Sequence, residues 1–120
     1  ANDFRGGKGF VPDKTTTQNI GLNCAAHANV NLTLLGVQNP EGSDSSVLML
    51  SNQGQAGVAD GVGVQLLYDN TPLKINELLP LKQSTGGQES FPITARYIQT
   101  KDIVKPGTAN ATATLNLTSQ

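Results

Sequence analysis

From Asn110 to Gln120 the chain alternates without a break. Ala111, Ala113, Leu115 and Leu117 fall on one side and Thr112, Thr114, Asn116 and Thr118 on the other, with Ser119 continuing the apolar side weakly. A period of two is that of a half-buried β-strand. The same period recurs upstream. Ile20, Leu22 and Cys24 share a face in NIGLNC, as do Val30, Leu32 and Leu34 in NVNLTLLG. Val62, Val64 and Leu66 align in GVGVQLLYD, with Gly63 and Gln65 opposite. In SFPITARYIQT, Phe91, Ile93, Ala95 and Tyr97 are read as inward, and Pro92, Thr94 and Arg96 as outward.

Turn chemistry separates these segments. Residues 1–18, rich in glycine and without sustained period, read as loop or irregular edge. NPEGSDSS and NQGQAGVAD are loops by composition, and Pro106 and Gly107 in KPGT suit the centre of a type II turn. The short run VLMLS fits either a buried strand or part of a turn. LKINELLPLKQ has helical spacing at Leu73, Glu77 and Leu78, but Pro80 would stop a helix, which favours strand and loop. Five or six strands at this spacing predict an all-β chain, folded as an immunoglobulin-like β-sandwich.

Composition narrows this further. The 120 residues, 1–120, suit a single domain with a real core. Only 14% are charged, and 8 basic and 9 acidic side chains nearly cancel, so no electrostatic footprint for nucleic acid exists. The longest apolar runs fall far short of the roughly 20 residues that span a bilayer, so the chain is not expected to be membrane-embedded. Aromatics are 4% and Trp is absent, leaving a core of aliphatic side chains with Phe4, Phe10, Phe91, Tyr68 and Tyr97 as its large pieces.

Candidate chemistry is sparse. His27 is the only histidine, which removes any His-cluster metal site and reads as a surface loop residue. GGKG lacks the spacing and hydroxyl of a phosphate loop. The sequons at Asn31, Asn110 and Asn116 match by chance in a chain so rich in Thr and Asn. Asp13, Glu41, Asp44, Asp60, Asp69 and Glu77 show no repeated spacing and read as solvated surface, and EGSDSS is too sparse for a calcium loop. No nucleophile, base and orienting acid stand in a recognisable arrangement, so neither enzyme, cofactor nor metal is expected.

NIGLNC, GVGVQLLYDNTP, FPITARYIQT and KPGTANATATLNLTSQ resemble, in order and at similar separations, blocks of the pilin subunits of bacterial chaperone–usher fimbriae of type 1-like pili. The resemblance runs from about residue 17 to residue 120. It implies an incomplete immunoglobulin-like sandwich that lacks its last strand and is completed by a donor strand. A periplasmic pilus chaperone, and then a neighbouring pilin subunit, would lay that strand beside the terminal one by β-strand addition. The outer-membrane usher would be a further partner. The place of action would be the fimbrium on the bacterial cell surface, with the periplasm as assembly site.

Residue by residue, the resemblance implies that Ala113, Leu115, Leu117 and Ser119 border the groove and that the carboxylate of Gln120 is held by the chaperone. Gly107 stands where the family carries a glycine ahead of its last strand. Ser119 departs from the pattern, occupying a place that is usually aromatic. Cys24 matches the second of a disulfide-bonded pair whose first member this chain does not contain. A half-cystine, a buried free thiol and a catalytic thiol are its three readings. ANDFRGGKGF resembles the region after the family's first strand, so an N-terminal arm and first strand are expected outside these residues. The function implied is a structural fimbrial subunit. The alternatives are the pilin domain of a tip adhesin and a receptor- or carbohydrate-binding sandwich module, the latter poorly served by so few aromatics.

Overall fold

A computed structural model describes residues 6–120, and within them every regular element is a strand. In chain order these are β1 (Thr15–Cys24), β2 (Asn29–Leu35), β3 (Val47–Leu48), β4 (Val62–Tyr68), β5 (Thr71–Pro72), β6 (Leu78–Gln83), β7 (Gly87–Gln99) and β8 (Thr114–Ser119). One sheet runs β1-β7-β4-β3, with β5 also on β4, and the other runs β6-β2-β8. Every pairing between named strands is antiparallel.

Local chemistry explains the elements. In β2, Val30, Leu32 and Leu34 are 0%, 1% and 1% exposed, so the alternating pattern becomes the buried face of a central strand. The β4–β5 hairpin turns on Asp69 and Asn70, with φ of 51° and 62°. Both lie in the left-handed region that a two-residue hairpin loop of type I′ requires, and Asp and Asn tolerate it better than most residues. Pro80 sits in β6, an edge strand, opposite a register shift between Val30 and Asn31. An edge with a bulge is where a residue without an N–H fits a sheet.

The two sheets enclose an aliphatic core. Leu32, Leu34, Leu73 and Ile93 form one buried cluster, and Cys24, Val30 and Phe91 a second. Tyr68 lies tilted against Phe91, with ring centroids 6.3 Å apart, giving the thin core its main aromatic contact. A third cluster, of Leu50, Ala59 and Val62, closes one pole.

Several expectations are corrected. β1 starts at Thr15, inside the stretch read as loop, because its first residues pair through backbone with β7 (Thr15 with Arg96, Gln18 with Ile93) and need no apolar alternation on an exposed edge. β4 is buried on both faces: Gln65 is 2% exposed, its amide donating to Ser46 Oγ at 2.9 Å and accepting from Arg96 Nε at 2.9 Å. A fully bonded amide makes that burial tolerable. Gly107 has no left-handed φ, so KPGT is not a type II turn. It is a bend between the bridge residues Lys105 and Thr108. The terminal strand is regular only from Thr114, and residues 110–113 belong to no regular element. Tyr97 keeps inward parity but is 37% exposed. Phe4, expected in the core, lies outside the described residues.

The carboxylates are less uniformly solvated than their spacing suggests. Lys101 Nζ reaches Glu41 Oε2 at 3.0 Å and Asp60 Oδ1 at 3.1 Å, joining three loops at one pole. Hydrogen bonding by Lys101 holds the Asp60 carboxyl below the usual range, and the Glu41 and Asp60 carboxylates raise Lys101 in turn. The Ser84 hydroxyl, followed by Lys82, lowers Glu89, and hydrogen bonds from Ser46 lower Asp44.

Carboxyls depressed in the folded state stabilise it above the ordinary carboxylate range and lose that contribution as pH falls through their folded values. Lys101, raised, contributes below the ordinary lysine range and loses its share at higher pH. The expected result is a mid-pH plateau with a shallow acid limb, since these pairs are exposed and screened. Urea midpoints against pH check it, and Asp60→Asn should flatten the acid limb. In the core, Ile93 is 5% exposed, and Ile93→Asp should cost several kcal/mol and abolish the folded state. Thr94→Asp, beside the Thr17 hydroxyl on the opposite face, should change stability by about 1 kcal/mol or less. Circular dichroism melts separate the two.

Candidate functional site

β8 is bonded along one edge only. Its six residues pair with β2 from Leu35–Thr114 to Val30–Ser119, and among the described residues no strand lies on its other side. The outer edges of the sheets are not alike. β6 carries Pro80, a bulge and Lys82, all of which obstruct further pairing, and β3 is only two residues long. β8 (TLNLTS) and β1 (TTTQNIGLNC) carry neither proline nor charge. Among the described residues no strand lies on the outer edge of either, which leaves main-chain donors and acceptors for a strand of suitable register.

The starts of these two strands flank a cleft of about 480 Å3. Its walls are Thr15 and Thr16 on one side and Ala111, Ala113 and Leu115 on the other, and Leu48, Val64, Leu66 and Ala95 lie between. A second cavity of about 170 Å3 shares Tyr97 and Ala109 with the first and runs on to Val62, Val104 and Gly107. Apolar side chains that point inward, yet remain half-exposed, are therefore concentrated here: Val64, Leu66, Ala95, Ala113 and Leu115. Such a surface is costly in water and gains from cover.

The segment from Lys105 to Ala113 is pinned although it belongs to no sheet. Asp60 and Lys105 exchange both backbone hydrogen bonds, Ala59 N–H donates to Thr108 O at 2.9 Å, and Ser51 N–H donates to Asn110 O at 2.7 Å. The Tyr97 hydroxyl donates to Ala109 O at 2.6 Å. Gly107 lies so close to the neighbouring chain that an added Cβ would sit 2.5 Å from Ala59 N and 2.7 Å from Val58 C.

The expected site residues thus separate into groups. Ala113 and Leu115 line the cleft, and Gly107 lines its smaller continuation. All three of Ala113, Leu115 and Leu117 pack against the Leu32 cluster, and Leu117, which does not line the cleft, also reaches the Phe91 cluster. Ser119 is exposed at the far end of β8, and Gln120 pairs through its backbone with Asn29. Cys24 is the only cysteine of these 120 residues and is buried with a free thiol, the partner expected for it lying outside them. Its sulfur lies 3.8 Å from Leu22 O, packed with Val30 and Phe91.

Alternation had marked Tyr97 and Val64 as inward, but gave no sign that they would floor an opening. Leu48, from a run with no clear period, carried no signal. Among the described residues no three His, Cys, Asp or Glu side chains gather as metal ligands, and no helix is long and apolar enough to cross a membrane.

Gly107→Ala tests the pinning directly. The new methyl meets backbone that cannot rotate away, so a loss of about 1–3 kcal/mol is expected, read as a lowered urea midpoint.

Known proteins resemble this chain in sequence and in fold. Residues 1–120 match a family model described as "Fimbrial protein". A fimbria adhesin protein of Klebsiella pneumoniae is 29% identical over 105 residues, covering 82% of this chain and 32% of the relative. Long polar fimbria protein A of Salmonella typhimurium is 35% identical over 95 residues, covering 77% of this chain and 50% of the relative. This chain therefore spans only a third to a half of these relatives. A solved structure of a Burkholderia pseudomallei antigen and type I fimbria protein superposes with TM-score 0.81 at 33% identity, covering 98% of this chain and 75% of that one.

Proposed function

Because the chain belongs to the fimbrial protein family, we propose that it is a structural subunit of an adhesive fimbria, joined to its neighbours by strand addition at the free edge of β8. The observation that carries this reading is the cleft of about 480 Å3 beside an uncharged, unpaired strand edge. A guest strand laid along β8 extends the three-stranded sheet by main-chain hydrogen bonds, while its alternate side chains cover Leu66, Ala113 and Leu115.

On this reading a periplasmic chaperone supplies the guest first and a neighbouring subunit replaces it, with the outer-membrane usher directing assembly. The role is structural rather than catalytic. The protein passes through the periplasm to the fimbrium at the cell surface. A second reading, the pilin domain of a tip adhesin, is favoured by the Klebsiella relative, of which this chain matches only 32%. Intact mass and N-terminal sequence of the mature protein distinguish the two: a folded domain upstream of Ala1 indicates an adhesin, and an alternating apolar arm a shaft subunit.

Without a guest, the chain is expected to self-associate or unfold readily, since an open edge beside apolar surface invites pairing. An added peptide with alternating apolar residues should raise the melting temperature and the monomer fraction. Leu115→Glu should weaken that rescue by placing a charge in the cleft, and Asn116→Glu, on the exposed face, should leave it nearly unchanged. A chain that is monomeric, stable and indifferent to such peptides would overturn the strand-docking reading.

A further inference from the structure

Lys101 lies in the bend that follows β7, and the backbone of that bend is held from within. The amide of Gln99, itself 2% exposed, donates to Lys101 O at 2.7 Å and to Asp102 O at 3.2 Å, and Thr100 N–H donates to Gly61 O at 2.7 Å. From there the Lys101 ammonium reaches two other loops: Glu41 Oε2 at 3.0 Å, and Asp60 at 3.1 Å from Oδ1 and 3.3 Å from Oδ2. The Thr100 hydroxyl donates to the second Glu41 oxygen at 2.9 Å. Residues 57–60 are thus tied to the bend through the Asp60 side chain, and their backbone in turn carries the chain that borders the cleft. Asp60 exchanges both backbone hydrogen bonds with Lys105, Ala59 N–H donates to Thr108 O and Thr108 N–H to Gly57 O, these last two at 2.9 Å. Directly beyond Thr108 come Ala109, Ala111 and Ala113, which line the cleft.

Resting on the strand-docking reading, we propose that Lys101 is a positioning residue for guest binding: its two ion pairs hold residues 57–60, and through them the segment from Lys105 to Ala113, where the wall meets an incoming strand. Lys101 lines neither the cleft nor its smaller continuation, so it acts through Asp60 and Lys105 rather than by touching the guest. A wall segment that moves freely must be ordered when a strand docks, and the entropy lost weakens binding. The Glu41 side chain is only 16% exposed, so its pair with Lys101 is screened less than one in open water.

The test compares Lys101→Met with the unaltered chain at a temperature where both are folded, with an uncharged peptide that alternates Leu and Thr as guest. Affinity by calorimetry should fall about 3- to 10-fold, the scale of two partly exposed ion pairs. Lys101→Arg, whose guanidinium can serve both carboxylates, should restore it. Lys82→Met, which breaks the Lys82–Glu89 pair on β6, should leave it unchanged. Salt of about 1 M, where the Debye length is about 3 Å, should narrow the gap between Lys101→Met and the unaltered chain. With no guest present, the amides of Ala59, Lys105 and Thr108 should exchange hydrogen faster in Lys101→Met, and those of β2 at an unchanged rate. If Lys101→Met fails to fold, Glu41→Gln, which keeps an acceptor for Thr100, takes its place. Equal affinity with and without Lys101, an equal loss in Lys82→Met, no rescue by Arg, a gap that persists in salt, or unchanged exchange at the three amides each overturns the positioning role while the strand-docking reading stands. A peptide that even the unaltered chain does not bind overturns the strand-docking reading, and the positioning role with it.

Discussion

Among the described residues β8 has a neighbour on one edge only, and most of what is distinctive in this fold follows from that. A strand in a sheet satisfies its backbone on both sides or leaves one row of donors and acceptors to water. Here the unpaired row lies at the rim of an apolar cleft rather than on a polar surface. Val64, Leu66 and Leu115 are consequently half-exposed although their parity points them inward. The sandwich is closed around Leu32, Leu34, Phe91 and Ile93 and open along one side.

The surroundings stiffen the opening. Lys101 ties the loops carrying Glu41 and Asp60 together, and the Asp60–Lys105 and Ala59–Thr108 hydrogen bonds fix the segment that leads into β8. Tyr97 anchors that segment from the opposite sheet. These bonds fix the segment that borders the cleft, while the apolar surface left uncovered there still costs free energy until something covers it. Close approach of Gly107 to the backbone of Val58 and Ala59 belongs to the same device.

Pro80, the bulge beside it and Lys82 obstruct the β6 edge, whereas β8 presents no such obstacle. Within the three-stranded sheet, the β8 edge is the one without such obstacles.

Alternation along the chain was enough to locate β2, β4, β7 and the end of β8, because a strand with one buried face writes its period directly into the sequence. The number and spacing of the alternating segments between turn residues were enough to predict a sandwich, and Pro80 was enough to disfavour a helical turn at LKINELLPLKQ. Hidden from that reading were the features that depend on partners distant in sequence. The start of β1 is a strand only because β7 lies beside it, and Gln65 is buried only because Ser46 and Arg96 meet its amide. The site was legible in part. Ala113 and Leu115 followed from parity and resemblance, but whether an inward residue meets a core or an opening depends on what the opposite sheet places there. Leu115 and Leu117 share one face of one strand and both pack against the Leu32 cluster, and tertiary packing alone decided that the first also lines the cleft while the second also reaches the Phe91 cluster.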